Sequence, residues 1–154
     1  MRKLINSHLI VKKSLIHGYG VYADKNFTKD EIIEECYTIV LSQLISPLKN
    51  YAFSAHKNFG IPTGYGMIYN HSLQPNATYH FDEYQSIIIY KALRTIRKGE
   101  EILIYYGDYW FSDRHLPVKE ISYQQKLLRI LNSKTCKIIL VMFIIYLLVF
   151  LLPF

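Results

Sequence analysis

Short apolar segments separated by polar turns run through the first two-thirds of the chain. Residues 9–11 predict a first strand, and residues 21–23 predict a second strand that leaves a glycine-containing turn. Residues 32–41 are rich in β-branched side chains and predict a longer strand. Further strands, each next to a polar turn, are predicted over 77–81, 86–92 and 101–106. The pattern therefore predicts a mostly β domain.

The region between the third and fourth predicted strands has a weaker pattern. Pro47 limits any helix in residues 42–53, because proline lacks a backbone N–H and clashes with the preceding turn. Residues 58–66 contain three glycines and a proline, a composition typical of loops. We therefore expect a loop there.

The end of the chain has a different character. Residues 138–154 contain no charged side chain. As a helix these 17 residues would be about 25 Å long, near the lower limit for crossing a hydrocarbon core of roughly 30 Å. A buried core helix is the alternative, although such helices seldom lack polar residues on every face. We expect a C-terminal hydrophobic helix over 136–154 that anchors the chain in a membrane.

A basic segment precedes this predicted anchor. Its apolar residues can share one face of a helix, with two basic residues off that face. A helix packed on the domain and a helix lying on a membrane surface both fit. The expected organisation is a folded domain over 1–116, a basic amphipathic linker over 117–135 and the anchor over 136–154.

The charge distribution agrees with a membrane partner. The formal net charge of +6 divides into +2 through Leu116 and +4 from Pro117 onward. Basic residues beside an apolar segment favour an anionic membrane surface and a domain on the cytosolic side. They are weaker evidence for nucleic acid, and we expect no direct nucleic-acid binding.

The two cysteines, Cys36 and Cys136, are far apart and have no metal-ligand spacing. We therefore expect no metal site, and a reducing compartment fits their low number. The first eight residues carry two basic side chains without a sustained apolar run behind them, so they do not form a signal peptide.

The candidate chemistry centres on Asn70-His71-Ser72, which interrupts an aromatic and aliphatic stretch. Buried amide and imidazole groups need hydrogen-bond partners, so this segment suits a site held by a scaffold. A plain surface turn with its corner at Pro75-Asn76 is the alternative. Gly18-Tyr19-Gly20 is a second candidate, because glycine lets the backbone approach a ligand closely.

Several motifs, in this order and spacing, resemble the SET domain, the fold of protein-lysine methyltransferases. The resemblance covers residues 15–111 and is strongest to the compact SET proteins of bacteria and large DNA viruses. It rests on Gly18-Tyr19-Gly20, Asn50-Tyr51, Asn70-His71-Ser72, Pro75-Asn76, Gly99-Glu100-Glu101 and the Tyr106-to-Trp110 ending. It implies a β-clip-like fold of short strands. It also implies a pseudoknot between the Asn-His-Ser segment and the segment after Gly99.

The resemblance also implies roles for individual residues. Tyr106 aligns with the catalytic tyrosine. The residues implied for binding S-adenosylmethionine are His17, Gly18, Tyr19, Asn70, His71 and Trp110. Those implied for the lysine channel are Tyr51, Tyr69, Ile104 and Tyr105.

The function implied is S-adenosylmethionine-dependent N-methylation of lysine in a protein such as a histone tail. The alternative is a catalytically silent SET-like module that binds or tethers a protein partner at a membrane. Many chromatin-modifying relatives carry a cysteine-rich zinc module after the catalytic strand, and this sequence has none. Residues 110–116 are therefore expected to complete the site.

Overall fold

The computed structural model describes residues 8–45, 47–55, 57–118, 137–139 and 141–145. The chain divides into two compact units, Met1–Glu120 and Ile121–Phe154. The strands described in the first unit are β1 (Leu9–Lys13), β2 (Tyr19–Ala23), β3 (Ile32–Leu41), β4 (Phe53–Ala55), β5 (Asn58–Pro62), β6 (Asn70–His71), β7 (Ala77–Asp82), β8 (Ile87–Ala92) and β9 (Leu103–Ile104). Short 3₁₀ helices occupy Leu48–Tyr51 and Ser112–Arg114. The prediction of a mostly β domain is confirmed.

The central sheet has five strands in the order β4-β5-β3-β8-β7, and every neighbouring pair is antiparallel. β3 lies at its centre, where its first half is buried. Ile33, Ile88 and Tyr90 are completely buried and form part of the core. The β-branched residues that predicted these strands thus fill the space beneath the sheet.

The loop predicted over 58–66 is partly wrong, because Asn58–Pro62 forms strand β5. β5 pairs with both β3 and β4, so tertiary pairing overrides the local turn composition. Gly60 is needed within it, because an added Cβ would lie 2.7 Å from Cγ2 of Thr38 on the neighbouring strand. Here the glycine marks a close approach between strands.

The hairpin formed by β1 and β2 joins the segment that leads into β9. Tyr22 forms an isolated antiparallel bridge with Glu101. The amide of Ala23 donates to the carbonyl of Glu100 at 3.0 Å, and that of Ile102 donates to the carbonyl of Val21 at 2.8 Å. These bonds hold the glycine-containing turn before β2 close to the end of the domain.

The strand predicted over 101–106 is shorter than expected, since only Leu103–Ile104 forms a strand. β9 pairs in parallel with β6. The amide of Tyr106 leaves the ladder and donates to Nδ1 of His71 at 3.2 Å. Asn70-His71-Ser72 and Tyr106 therefore lie side by side, although more than thirty residues separate them.

Part of the second unit is helical, namely residues 137–139 and 141–145. In the part of the chain that the structure describes, no helix is both long and apolar enough to span a bilayer. Most of the predicted linker and most of the predicted anchor lie outside the described residues.

Candidate active site

Asn70 lies at the start of β6 and is 6% exposed. Its side-chain nitrogen donates to the carbonyls of His17 and Tyr19, at 3.2 and 3.1 Å. The same nitrogen also donates to Oε1 of Glu101 at 3.0 Å. Three acceptors on one side fix the orientation of the amide, so its oxygen faces away from them.

His71 is buried beside Asn70 and accepts the backbone amide of Tyr106 at Nδ1. A neutral imidazole that accepts at Nδ1 carries its proton on Nε2. Its ring centre lies 4.8 Å from that of Phe111 in an edge-to-face arrangement. His71 therefore joins β6 to the segment that follows β9.

Tyr106 is partly buried, and its hydroxyl donates to the backbone carbonyl of Tyr69 at 2.6 Å. Burial, with a smaller contribution from the nearby Tyr51 and Glu101, raises the pKa of Tyr106 to about 12. The hydroxyl therefore stays protonated at neutral pH. Because its proton goes to the Tyr69 carbonyl, its oxygen keeps lone pairs that accept other contacts.

One cleft of about 770 Å³ brings together the residues predicted to bind the cofactor. All six of the predicted residues line it, namely His17, Gly18, Tyr19, Asn70, His71 and Trp110. We call this cavity the cofactor cleft. Gly18 has a φ of +49°, a conformation that side chains with a Cβ adopt at a cost. The structure thus brings these six residues together, and their role in binding a cofactor stays a prediction.

A second cavity of about 480 Å³, here called the substrate groove, adjoins the cofactor cleft. The residues lining both cavities are Asn50, Tyr51, Met67, Tyr106 and Trp110. Tyr106 therefore lies at the boundary between two cavities. Such a boundary allows two reactants to enter from different directions and meet at one side chain.

The four residues predicted for the lysine channel do not share one location. Tyr51 is exposed and lines both cavities. Tyr105 is also exposed; its ring centre lies 5.4 Å from that of His71, and its hydroxyl donates to Asp108. Tyr51 is thus the member of this set that stands with Tyr106 between the cavities.

The side chains of Tyr69 and Ile104 lie in the core, which corrects their predicted place in a channel wall. The ring of Tyr69 stacks on Tyr90 with centres 4.5 Å apart, and its hydroxyl donates to Glu34 at 2.8 Å. Ile104 is completely buried. A buried phenol needs an acceptor, and the partner of Tyr69 is on β3. Only the backbone carbonyl of Tyr69 reaches the site, as the acceptor for Tyr106.

Two buried carboxylates support the site and were not anticipated from the sequence. Glu101 is 3% exposed and accepts hydrogen bonds from Asn70 and from the hydroxyl of Tyr22, the latter at 2.9 Å. Glu34 is completely buried and accepts from the amide of Tyr65 at 2.9 Å as well as from Tyr69. Glu101 belongs to the Gly99-Glu100-Glu101 motif, but no role was predicted for it, and Glu34 looks like an ordinary surface acid because Glu35 follows it.

Arg114 was also missed, and it fixes the wall that both cavities share. Its guanidinium donates to the carbonyls of Trp110 and Lys49, at 2.9 and 2.7 Å. It also lies over the Trp110 ring, 4.4 Å from the centroid. These contacts tie the first 3₁₀ helix to the end of the domain. No signal in the sequence distinguishes Arg114 from a solvent-exposed arginine.

No group of three or more potential metal ligands occurs among the residues that the structure describes.

Comparison with known proteins identifies the fold. The family model described as the SET domain matches residues 18–107. The chain belongs to the SET-domain family. The match covers Gly18, the Asn70-His71 pair and Tyr106, while His17 and Trp110 lie just outside it.

Two SET proteins illustrate the likeness. A curated relative, a histone-lysine N-methyltransferase specific for H3 lysine-37 from Schizosaccharomyces pombe, is 33% identical over 97 residues. That alignment covers 62% of this chain and 62% of the relative, so the chain spans about three-fifths of the relative's length. A crystal structure of a candidate histone methyltransferase from Plasmodium falciparum matches with a TM-score of 0.61 and 34% identity. It covers 70% of this chain and 99% of the other.

Proposed function

We propose that this chain is an S-adenosylmethionine-dependent protein-lysine N-methyltransferase. The observation that carries the proposal is the position of Tyr106 at the boundary of the cofactor cleft and the substrate groove. A methyl donor in the cleft and a lysine entering from the groove would meet beside its hydroxyl. Membership of the SET family and the likeness to the Schizosaccharomyces pombe histone-lysine N-methyltransferase support the same class of reaction.

The groups lining the cofactor cleft suit S-adenosylmethionine. The carbonyls of His17 and Tyr19 each keep a second lone pair, and no described residue donates to the side-chain oxygen of Asn70. These oxygens would accept an α-ammonium group. Trp110 and Phe111 offer flat aromatic surfaces suited to an adenine ring. When bound, the cofactor supplies an electrophilic methyl group on a sulfonium sulfur.

The lysine must lose a proton before it reacts, because a free ammonium has a pKa near ~10.4 and no lone pair. The boundary walls from Tyr51, Tyr106 and Trp110 are aromatic, and a desolvated environment beside a sulfonium disfavours the ammonium form. These side chains would then hold the neutral amine in line with the methyl group that the bound cofactor would supply. Aligning the two reactants supplies most of the rate enhancement, an effect worth up to ~7–11 kcal/mol.

Tyr106 would act as a positioned acceptor and not as a base. Its proton is committed to the Tyr69 carbonyl, and its raised pKa of about 12 keeps it neutral. Its oxygen can accept a hydrogen bond from the amine or a C–H contact from the methyl group. Such a preorganised dipole orients the reactants without having to rearrange during the reaction.

We further propose that residues 136–154 anchor the protein in a membrane, with the SET domain on the cytosolic side. This proposal rests on the sequence alone, namely the uncharged run from Ile138 and the basic residues before it. The substrate would then be a lysine-bearing protein within reach of that membrane.

Calorimetric titration of the full chain with S-adenosylmethionine, beside its Asn70→Ala variant, tests the enzyme proposal. We expect micromolar affinity, about −8 kcal/mol, for the wild type and a loss of at least tenfold in the variant. Tritiated methyl transfer to a mixture of lysine-bearing proteins should accompany binding. A folded chain that does not bind the cofactor and does not transfer methyl groups would favour the catalytically silent binding module.

A further inference from the structure

The substrate groove carries an uneven set of charges. The charged side chains lining it are Lys49, Lys57, Asp108, Asp113 and Arg114. Their formal sum is one positive charge. What matters to an incoming peptide is which of these charges are already engaged by the protein.

The acidic members and Arg114 have partners within the protein. The carboxylate of Asp108 accepts the hydroxyl of Tyr105. Asp113 adjoins Arg114 in the chain and interacts electrostatically with its guanidinium. Arg114 in turn donates to the carbonyls of Trp110 and Lys49 and to the side chain of Asn50. Asp113 and Arg114 therefore offset each other within the groove, whereas Asp108, whose partner is a neutral hydroxyl, keeps its negative charge.

The two lysines are different. Lys49 and Lys57 are exposed, and neither forms an ion pair or side-chain hydrogen bond with another residue in the described part of the chain. The domain does pair basic residues elsewhere, as at Lys25–Glu31 and Arg94–Glu100, both at 2.6 Å. Of the charged side chains that line the substrate groove, the ammonium groups of Lys49 and Lys57 and the carboxylate of Asp108 thus have no oppositely charged partner among the described residues, which leaves a net positive charge.

We propose that the substrate groove selects target lysines whose flanking residues are acidic. The inference rests on the proposed function and narrows its substrate class. Asp or Glu beside the target would meet Lys49 and Lys57 as opposite charges, whereas flanking Lys or Arg would meet them as like charges. Exposed pairs of this kind change affinity by a few-fold each, so two pairs make a difference of roughly tenfold between acidic and basic peptides.

Matched peptides presented to the full chain test this proposal. Each peptide carries one lysine in the same frame, with the two positions on each side filled by Asp/Glu, by Asn/Gln or by Lys/Arg. We expect kcat/KM for methyl transfer to fall in that order, and the differences to shrink between 50 and 300 mM salt because exposed charges are screened. Binding of fluorescent versions, measured with S-adenosylhomocysteine present and without turnover, should show the same order.

Charge reversal gives the matched comparison. The double variant K49E/K57E should prefer the basic peptides, while K91E, which changes an exposed lysine on β8 that lines neither cavity, should keep the wild-type order. Melting curves of all variants check that each is folded.

The outcomes separate this inference from the enzyme proposal. Methylation with equal or reversed preference in the wild type overturns the acidic selectivity and leaves the enzyme proposal standing. Acidic peptides that bind better, with reversal in K49E/K57E but without methylation, support the selectivity and overturn the enzyme proposal. Equal binding of all peptides without methylation overturns both.

Discussion

At the scale of single residues, the hydroxyl of Tyr106 is the group whose position most directly links the structure to the proposed reaction. The hydroxyl donates to the backbone carbonyl of Tyr69. The side chain of Tyr69 donates in turn to Glu34, which fixes the position of residue 69. The aromatic contacts of Tyr106 with His71 and Trp110, at 5.3 and 4.8 Å, do not depend on the hydroxyl. Removing the oxygen should therefore change the reaction more than the packing.

The variant Tyr106→Phe tests this point. We expect methyl transfer to slow by roughly 10²-fold, the usual effect of removing one preorganised hydrogen-bonding group. Affinity for S-adenosylmethionine should change by less than about threefold, because the amide of residue 106 still donates to His71. Tyr84→Phe, at a fully exposed tyrosine, is the control. A Tyr106→Phe enzyme as fast as that control would contradict the proposed role.

Because of Glu34, we expect the free energy of unfolding of the domain to depend on pH. Burial raises the pKa of Glu34 above 4.5, although hydrogen bonds from Tyr65 and Tyr69 oppose the rise. The folded protein therefore binds this proton more tightly than the unfolded chain does. The stability that Glu34 contributes is complete below pH 4.5 and is lost as the pH rises through its raised folded value.

Urea unfolding between pH 4 and pH 8 measures this contribution as the difference between the wild type and Glu34→Gln. Taking the difference cancels carboxylates with lowered pKa values, such as Glu31 at about 2, which act in the opposite direction. We expect the free energy of unfolding of the wild type, relative to the variant, to decrease as the pH rises. A difference that does not vary with pH would contradict the assignment.

The residues of the site divide by how visible they are in the sequence. Asn70, His71 and Tyr106 belong to short motifs that lie within residues 18–107, the range that matches the family model. Glu34 and Glu101 are buried acids next to exposed-looking neighbours, and nothing local tells such an acid from a solvated one. Their burial depends on partners, Tyr69 and Asn70, that lie 35 and 31 residues away.

At the scale of elements, the parallel pairing of β6 with β9 depends on Asn76. This buried side chain donates to the carbonyl of Glu101 at 2.8 Å and accepts the amide of Leu103 at 2.7 Å. The backbone N–H of Asn76 donates to the backbone carbonyl of Leu103 at 3.2 Å. Two strands of two residues each have few bonds of their own, so the asparagine supplies much of their connection.

The variant Asn76→Ala should therefore destabilise the domain by about 2–4 kcal/mol, because it leaves a buried donor and a buried acceptor without partners. Urea denaturation measures the loss. Asn26→Ala provides a matched control, since exposed Asn26 accepts one backbone amide, that of Lys98, at 2.8 Å. Equal costs for the two variants would show that Asn76 is not the connection described here.

Strands with a strongly β-forming composition were predicted well, and strands without it were not. β3, β7 and β8 carry enough β-branched and aromatic residues to be recognised alone. β5 was predicted as a loop because its glycine and proline content outweighed its apolar residues. β9 was predicted too long. The backbone N–H of residue 102 donates to Val21 and that of residue 106 to the side chain of His71, so neither residue extends the pairing of β9 with β6.

At the scale of the whole molecule, there are two ways in which the end of the chain could attach the protein to a membrane. A chain held by basic residues alone is released by salt, because exposed charges are screened within about 8 Å at physiological ionic strength. A chain held by an inserted apolar helix is released only by detergent. The uncharged run from residue 138 predicts the second behaviour.

Fractionation of cells that produce the full chain measures this difference. We expect the protein in the membrane pellet after washing with 1 M salt and in the supernatant after detergent. Deletion of residues 138–154 should move it to the soluble fraction. Full-length protein released by salt would instead indicate a surface-bound basic helix.

The sequence by itself determined the class of fold, the order of the motifs and the identity of Asn70, His71 and Tyr106 as the central polar residues. These features depend on periodicity and on short motifs, which a chain carries locally. Tertiary structure alone decided that Tyr69 and Ile104 face the core, that buried Glu34 and Glu101 support the site, and that Tyr106 stands between two cavities. The reason is physical: whether a side chain is buried, and whether its hydrogen bonds are satisfied, depends on groups that only folding brings within about 3 Å.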